Sequence, residues 1–273
     1  MTQNAAMSTM TSSAKRDDFF IGWLPMPQNY ARFLRPVAVL LIGAAAAVGA
    51  GVAVLQPDPG PGRWDSDNVA TFDGLVFTRP CAMLLAVGDK AGDPPRTILL
   101  VEDGKFGALP RVMRLVQGRT GGVAVRARGT MLHRDGRQML ELAEGDDGLR
   151  PLTSEEAAKL PALNWSEPPT SGPIKLVGEI IDSKCYLGAM KPGGGKTHKA
   201  CAMLCISGGI PPMLVTRDAD KHETFYLLTT SDGGPANDMV LPFVGDLVDV
   251  SGLVERIGDL DVVKLNVDGI RRR

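Results

Sequence analysis

Residues 178–213 hold three of the four cysteines and one of the three histidines of this chain. The order is Cys185, twelve residues, His198, two residues, Cys201, three residues, Cys205. Three thiols and an imidazole are a full tetrahedral donor set for zinc, and the soft sulfur also suits copper. Two other chemistries use the same residues. A disulfide from Cys185 to Cys201 or Cys205 would staple a glycine-rich loop and add about 2–4 kcal/mol. A redox pair would use Cys201 or Cys205 as nucleophile and Cys185 as the resolving thiol. Lys184, Lys196 or Lys199 would then lower a thiol pKa. A Cys201–Cys205 bridge is the poorest choice, because side chains one helical turn apart rise in parallel. The spacing is neither the paired CxxC arms of a zinc ribbon nor the CxxCH of covalent haem attachment. The nearby Met190, Met203 and Met213 read as packing residues.

These residues need elements to hold them. Thr197 is placed to cap a helix beginning near His198. Gly208-Gly209 and Pro211-Pro212 end that helix. At about 100° per residue, His198, Cys201 and Cys205 share one face of it. Cys185 falls at the end of a strand, and the connection through Gly193-Gly194-Gly195 is long enough to carry the helix back over it. Asp182 reads as a turn or cap residue.

The strand that ends at Cys185 belongs to an internal repeat. Gly74 is followed seven residues later by Cys81, and Gly178 seven residues later by Cys185. Thr97-Ile98-Leu99-Leu100 matches Thr224-Phe225-Tyr226-Leu227. The run from Gly129 aligns without a gap to the run from Gly252, with His133 in the polar turn region of the first. Short apolar runs separated by Gly, Pro and Asp make both halves β. The fold class expected is mainly β, a tandem pair of small OB-like barrels that remove exposed edges by closure. The first barrel is expected over residues 69–149 and the second over 173–270. Residues 150–172 connect them, with a helix start at Thr153-Ser154-Glu155-Glu156 that Pro161 stops early. Only the second repeat carries the cysteine helix, so it is expected to hold the site, with Cys81 as a further thiol.

The N-terminal part reads differently. Val37–Leu55 is nineteen residues without a charge, the length of a membrane-crossing helix. Gly43, Gly49 and Gly51 would allow close helix contacts there. The preceding segment is long for a signal peptide and no small-residue cleavage site follows, so an uncleaved signal anchor is expected. Lys15, Arg16, Arg32 and Arg35 before the span put residues 1–36 in the cytoplasm. The linker 56–68 and the repeats would then lie in the periplasm of a bacterial inner membrane, where disulfides are permitted. Phe19, Phe20, Trp23, Tyr30 and Phe33 suit the lipid interface and, more sharply, docking onto another membrane protein.

The chain has 273 residues and a net charge of −1, which gives no basis for nucleic-acid binding. GxSxG, HExxH and the dinucleotide fingerprint are missing from the sequence. Gly193-Gly194-Gly195-Lys196-Thr197 lacks the first glycine of a phosphate loop, where Met190 stands.

The segment GEIIDSKC…HKACAMLCISGGIPPMLV, continued by GDLVDVSGLVE, resembles a group of small exported bacterial proteins of uncharacterised function. Their pattern runs Asp-x-x-Cys, a His-containing loop, Cys-x-x-x-Cys, then a strand and a glycine-bounded hydrophobic run. The resemblance covers residues 175–270. It implies a small β-barrel with a cluster of Cys185, Cys201 and Cys205, and supplies no activity. The expected function is that of a membrane-anchored accessory protein that assembles with, or delivers zinc or copper to, a membrane redox complex. The alternatives are a thiol–disulfide oxidoreductase and a structural subunit with a stapled barrel.

Overall fold

A computed structural model describes residues 26–56, 60–88, 90, 93–119, 121–164, 172–220 and 222–273. The chain divides into two compact units, residues 1–58 and 59–273. The first contains helix α1, Gln28–Leu55, which has no buried residue and is long and apolar enough to cross a membrane. At 1.5 Å per residue its length of about 42 Å exceeds the hydrocarbon core of a bilayer.

The second unit is mainly β. Its first half contains β1 (Arg63–Phe77), β2 (Met83–Ala86), β3 (Arg96–Val101), α2 (Leu109–Val116), β4 (Gly121–Arg134), β5 (Arg137–Leu142), β6 (Leu149–Pro151) and α3 (Ser154–Ala157). These strands form a six-stranded sheet in the order β1-β2-β3-β5-β4-β6, and a further pairing joins β1, at one end, to β4, next to last at the other. The second half contains β7 (Gly172–Asp182), α4 (Lys199–Ser207), β8 (Pro212–Arg217), β9 (Glu223–Thr229), α5 (Asn237–Val240), β10 (Leu247–Ile257) and β11 (Leu260–Arg272). Its five strands close into a barrel, β10-β11-β9-β8-β7.

The repeated glycines stand where strands approach too closely for a side chain. A Cβ on Gly74 would lie 2.2 Å from the Leu85 carbonyl oxygen, and one on Gly178 would lie 2.4 Å from that of Val215. Gly74 pairs with Val125 of β4, and Gly178 with Val248 of β10. The hairpin pair is equally matched, since Gly129 pairs with Leu142 and Gly252 with Leu265. One part of the sequence alignment is corrected. Leu99 pairs in parallel with Met139, and Leu227 pairs in parallel with Val262. Leu99 therefore corresponds to Leu227, not to Tyr226, a shift of one residue. Apolar letters fit either register, but a one-residue slip turns every side chain to the opposite face, so pairing decides.

The two halves have private cores. Val76, Leu84, Leu100, Val125 and Leu140 are among the buried residues of the first. Ile180, Leu214, Leu228, Val248 and Val263 are among those of the second. A third core is shared. It packs Cys81, Met83, Leu99 and Met139 against Cys185, Leu187, Cys205, Met213 and Leu227. Burying this apolar surface between the halves holds them together without a disulfide, all four cysteines being free. The turn from 150 follows its sequence signal: Thr153 caps α3 and Glu156 completes the reciprocal capping box. Trp165 of the connection, which the sequence suggests packs against one of the domains, lies outside the described residues.

Candidate metal and thiol centre

The two halves cross from first to second strand differently. From β1 to β2 the chain needs only residues 78–82; from β7 to β8 it takes residues 183–211. That long connection begins with a buried turn, Cys185–Ala189, and ends with α4. Helix α4 ends at Gly208, and Gly209 follows with φ +94°, as the glycine pair implies. Its start departs from expectation. The N-cap position is His198, with no side-chain cap bond.

His198 is instead committed to Asp182. Its Nε2 lies 2.9 Å from Asp182 Oδ2, and both side chains are buried. The other carboxylate oxygen of Asp182 accepts the backbone N–H of Cys185 at 2.8 Å. Asp182 thus does the turn work expected of it and also holds the imidazole. It is the residue through which β7 orients both Cys185 and the entry to α4.

The three sulfurs converge. Ligand atoms of Cys185, Cys201 and Cys205 all lie within 4.8 Å of one another, and those of Asp182, Cys185 and His198 form a second such group. Both groups could hold a metal ion, with Cys185 common to the two. Cys185 and Cys205 are buried and Cys201 is half-buried. All four cysteines are free thiols, and the Cys185 and Cys205 sulfurs stand 4.0 Å apart, about twice a disulfide bond length. Cys81 shares the core with Cys185 and Cys205 but belongs to neither ligand group. Burial pushes its thiol up to about 12.

The cation at the sulfurs comes from the other half of the molecule. Lys105 Nζ donates to Cys201 Sγ at 2.8 Å and to Cys205 Sγ at 3.6 Å. Two of the three expected neighbours have other partners. Lys184 pairs with the buried Glu141 of β5, and Lys199 with Asp246. Lys105 sits in the loop between β3 and α2, which is pinned from both sides. Lys184 Nζ donates to the carbonyls of Glu102 at 2.9 Å and Gly104 at 2.7 Å. The Gly107 N–H donates to the Gly208 carbonyl at 2.9 Å, and a Cβ on Gly107 would meet the Gly209 oxygen at 2.0 Å. Only a bare backbone fits there.

The electrostatics follow from this arrangement. Within the Cys185–Cys205 pair, Cys205 takes the charge. The hydrogen bond from Cys185 lowers it to about 7 against its burial, with help from the Lys105 charge and a hydrogen bond from Cys201. Cys185 keeps its proton, raised by that same bond, by burial and by the Asp182 carboxylate. Lys105 is raised to about 12, chiefly by its bond to Cys201, and stays cationic.

Comparison with family models, curated proteins and solved structures gives no match. The closed barrel and the adjacent cysteine–histidine cluster are the features of the stated resemblance that the structure contains.

The remaining expected residues divide. Tyr30 and Phe33 lie on α1 and are exposed, while Phe19, Phe20 and Trp23 lie outside the described residues. Met213 is buried in the shared core, whereas Met190 and Met203 are exposed. Lys105 and Glu141 escaped sequence reasoning because no motif marks them. They stand 96 and 43 residues before their partners, and only the folded junction brings them together.

Proposed function

We propose that this protein is a membrane-anchored, periplasmic metal-site protein that assembles with, or delivers a thiophilic metal to, a membrane redox complex. The observation that carries the reading is the convergence of Cys185, Cys201 and Cys205 within 4.8 Å. Soft thiolates select zinc or copper(I) over hard cations. Burial of two sulfurs favours retention, and the half-buried Cys201 leaves a way in for transfer. The scaffold is read as a tandem pair of OB-like barrels, supported by the shared strand-pairing order and the equivalent glycines. The single apolar helix supports the anchor. The basic residues before it support a cytoplasmic N-terminus, and the aromatic segment supports docking.

The test is a deletion strain in which the metal content of membrane redox enzymes is measured. Wild-type protein should restore occupancy, and the C185S/C201S/C205S variant should not. Equal restoration by both would reject metal delivery.

A second reading has its own observation. The 4.0 Å separation of Cys185 and Cys205, with the charge on Cys205, suits thiol–disulfide exchange. Reversible formation of a Cys185–Cys205 disulfide by a mild oxidant, with turnover of a dithiol substrate, would favour it over metal delivery.

A further inference from the structure

The metal reading leaves the ion and its coordination open, and the geometry around the sulfurs narrows both. Structural zinc takes four ligands in a tetrahedron. Among the described residues, the group containing Cys201 and Cys205 has no fourth Cys, His, Asp or Glu. The imidazole that sequence spacing offered is turned to Asp182, with Nε2 at 2.9 Å from the carboxylate. That carboxylate is doubly used, since its other oxygen holds the Cys185 N–H. The position beside Cys201 and Cys205 is taken by the Lys105 ammonium. An ammonium has three N–H donors and no lone pair, so it cannot ligate.

A three-sulfur site with a cation beside it suits a different ion. Copper(I) is soft and d10 and is satisfied by three thiolates without a fourth donor. Three thiolates around a monovalent ion carry two excess negative charges. Buried charge of that kind requires a partner, and Lys105 supplies one. We infer, resting on the metal reading above, that the site holds copper(I) three-coordinate on Cys185, Cys201 and Cys205, with Lys105 of the first half as its charge partner. Lys105 is then a positioning residue, and the site is complete only when the two halves pack. Lys184 supports this by fixing the carbonyls on either side of the loop's turn, at Glu102 and Gly104.

The experiment uses the full-length protein in detergent, reduced and free of oxygen. Copper(I) is titrated against a bicinchoninate competitor and zinc(II) against a chromophoric chelator, and X-ray absorption counts the sulfur ligands. Wild type should take one copper(I) per chain on three sulfurs and prefer it to zinc. Lys105→Met should weaken copper(I) by about tenfold or more, the usual cost of losing an outer-shell partner. Lys105→Arg, which keeps the charge, should restore most of that loss. A preference for zinc with a nitrogen or oxygen ligand overturns the inference and leaves the metal reading standing. Binding of neither ion removes the metal reading itself. Unchanged copper(I) affinity in Lys105→Met, or failure of Lys105→Arg to rescue, overturns the role of Lys105.

Discussion

The two halves of residues 59–273 share strand pairing and differ in one connection. Both place a parallel pair between third and fifth strands, β3 with β5 and β9 with β11. Both keep a glycine where the first strand meets its neighbours. Yet residues 78–82 suffice to join β1 to β2, whereas residues 183–211 join β7 to β8 and carry every sulfur of the site. The sheet is the expensive, constrained part, and a loop outside the strand ladder can grow without disturbing it. The short connection keeps only Cys81, buried among apolar neighbours. The first half contributes differently, by lending Lys105 and Glu141 to the second.

If the halves depend on each other through that junction, Lys184→Met should give the largest effect. It leaves the Glu141 carboxylate buried without its partner, which costs about 4 kcal/mol. Chemical denaturation would show it, and the double change Lys184→Met with Glu141→Leu should recover much of the loss. If the halves are equivalent as scaffolds, Gly74→Val and Gly178→Val should each destabilise by about 3 kcal/mol, because both force a side chain onto a neighbouring carbonyl. Clearly unequal losses would break the equivalence.

The two matched cysteines sharpen the contrast. Cys81→Ser should cost about 1 kcal/mol for a hydroxyl in an apolar site and leave metal content unchanged. Cys185→Ser should remove the metal, as should Cys201→Ser, while His198→Ala should retain most of it because the imidazole serves Asp182. Metal analysis on the purified variants checks all four. The smallest effect belongs to the connection between the halves. Glu156 is held down to about 2, first by its hydrogen bond from Arg150 and then by the Thr153 N–H. A carboxyl depressed in the folded state stabilises above its ordinary value near 4.5 and loses that contribution as pH falls towards 2. Glu156→Gln should therefore flatten the acid side of the stability profile slightly and change nothing at the sulfurs.

Much of this was legible in residue order because it depends on local chemistry. The glycine pairs, the Thr153 capping box and the stop of α4 at Gly208 are written in adjacent residues. So is the sharing of one helix by Cys201 and Cys205. The convergence of Cys185 with them needed only a strand end and a returning connection. What escaped was set by tertiary pairing. The register of β9 turned on its parallel partner β11, and apolar spacing could not choose between neighbouring leucines. Thr197 lost the cap position, and His198 is paired with Asp182, sixteen residues earlier, beside Cys185 and outside the group that holds Cys201 and Cys205. Lys184, Lys196 and Lys199 looked like the thiols' cations by proximity in sequence, whereas Lys105 reaches them across the junction.

The most direct test of the central claim is metal content measured together with thiol titration on full-length protein purified without added chelator. One copper or zinc ion per chain, with three thiols protected and Cys81 the fourth, is the predicted result. No metal together with an oxidised Cys185–Cys205 pair would contradict it and make the long connection a staple.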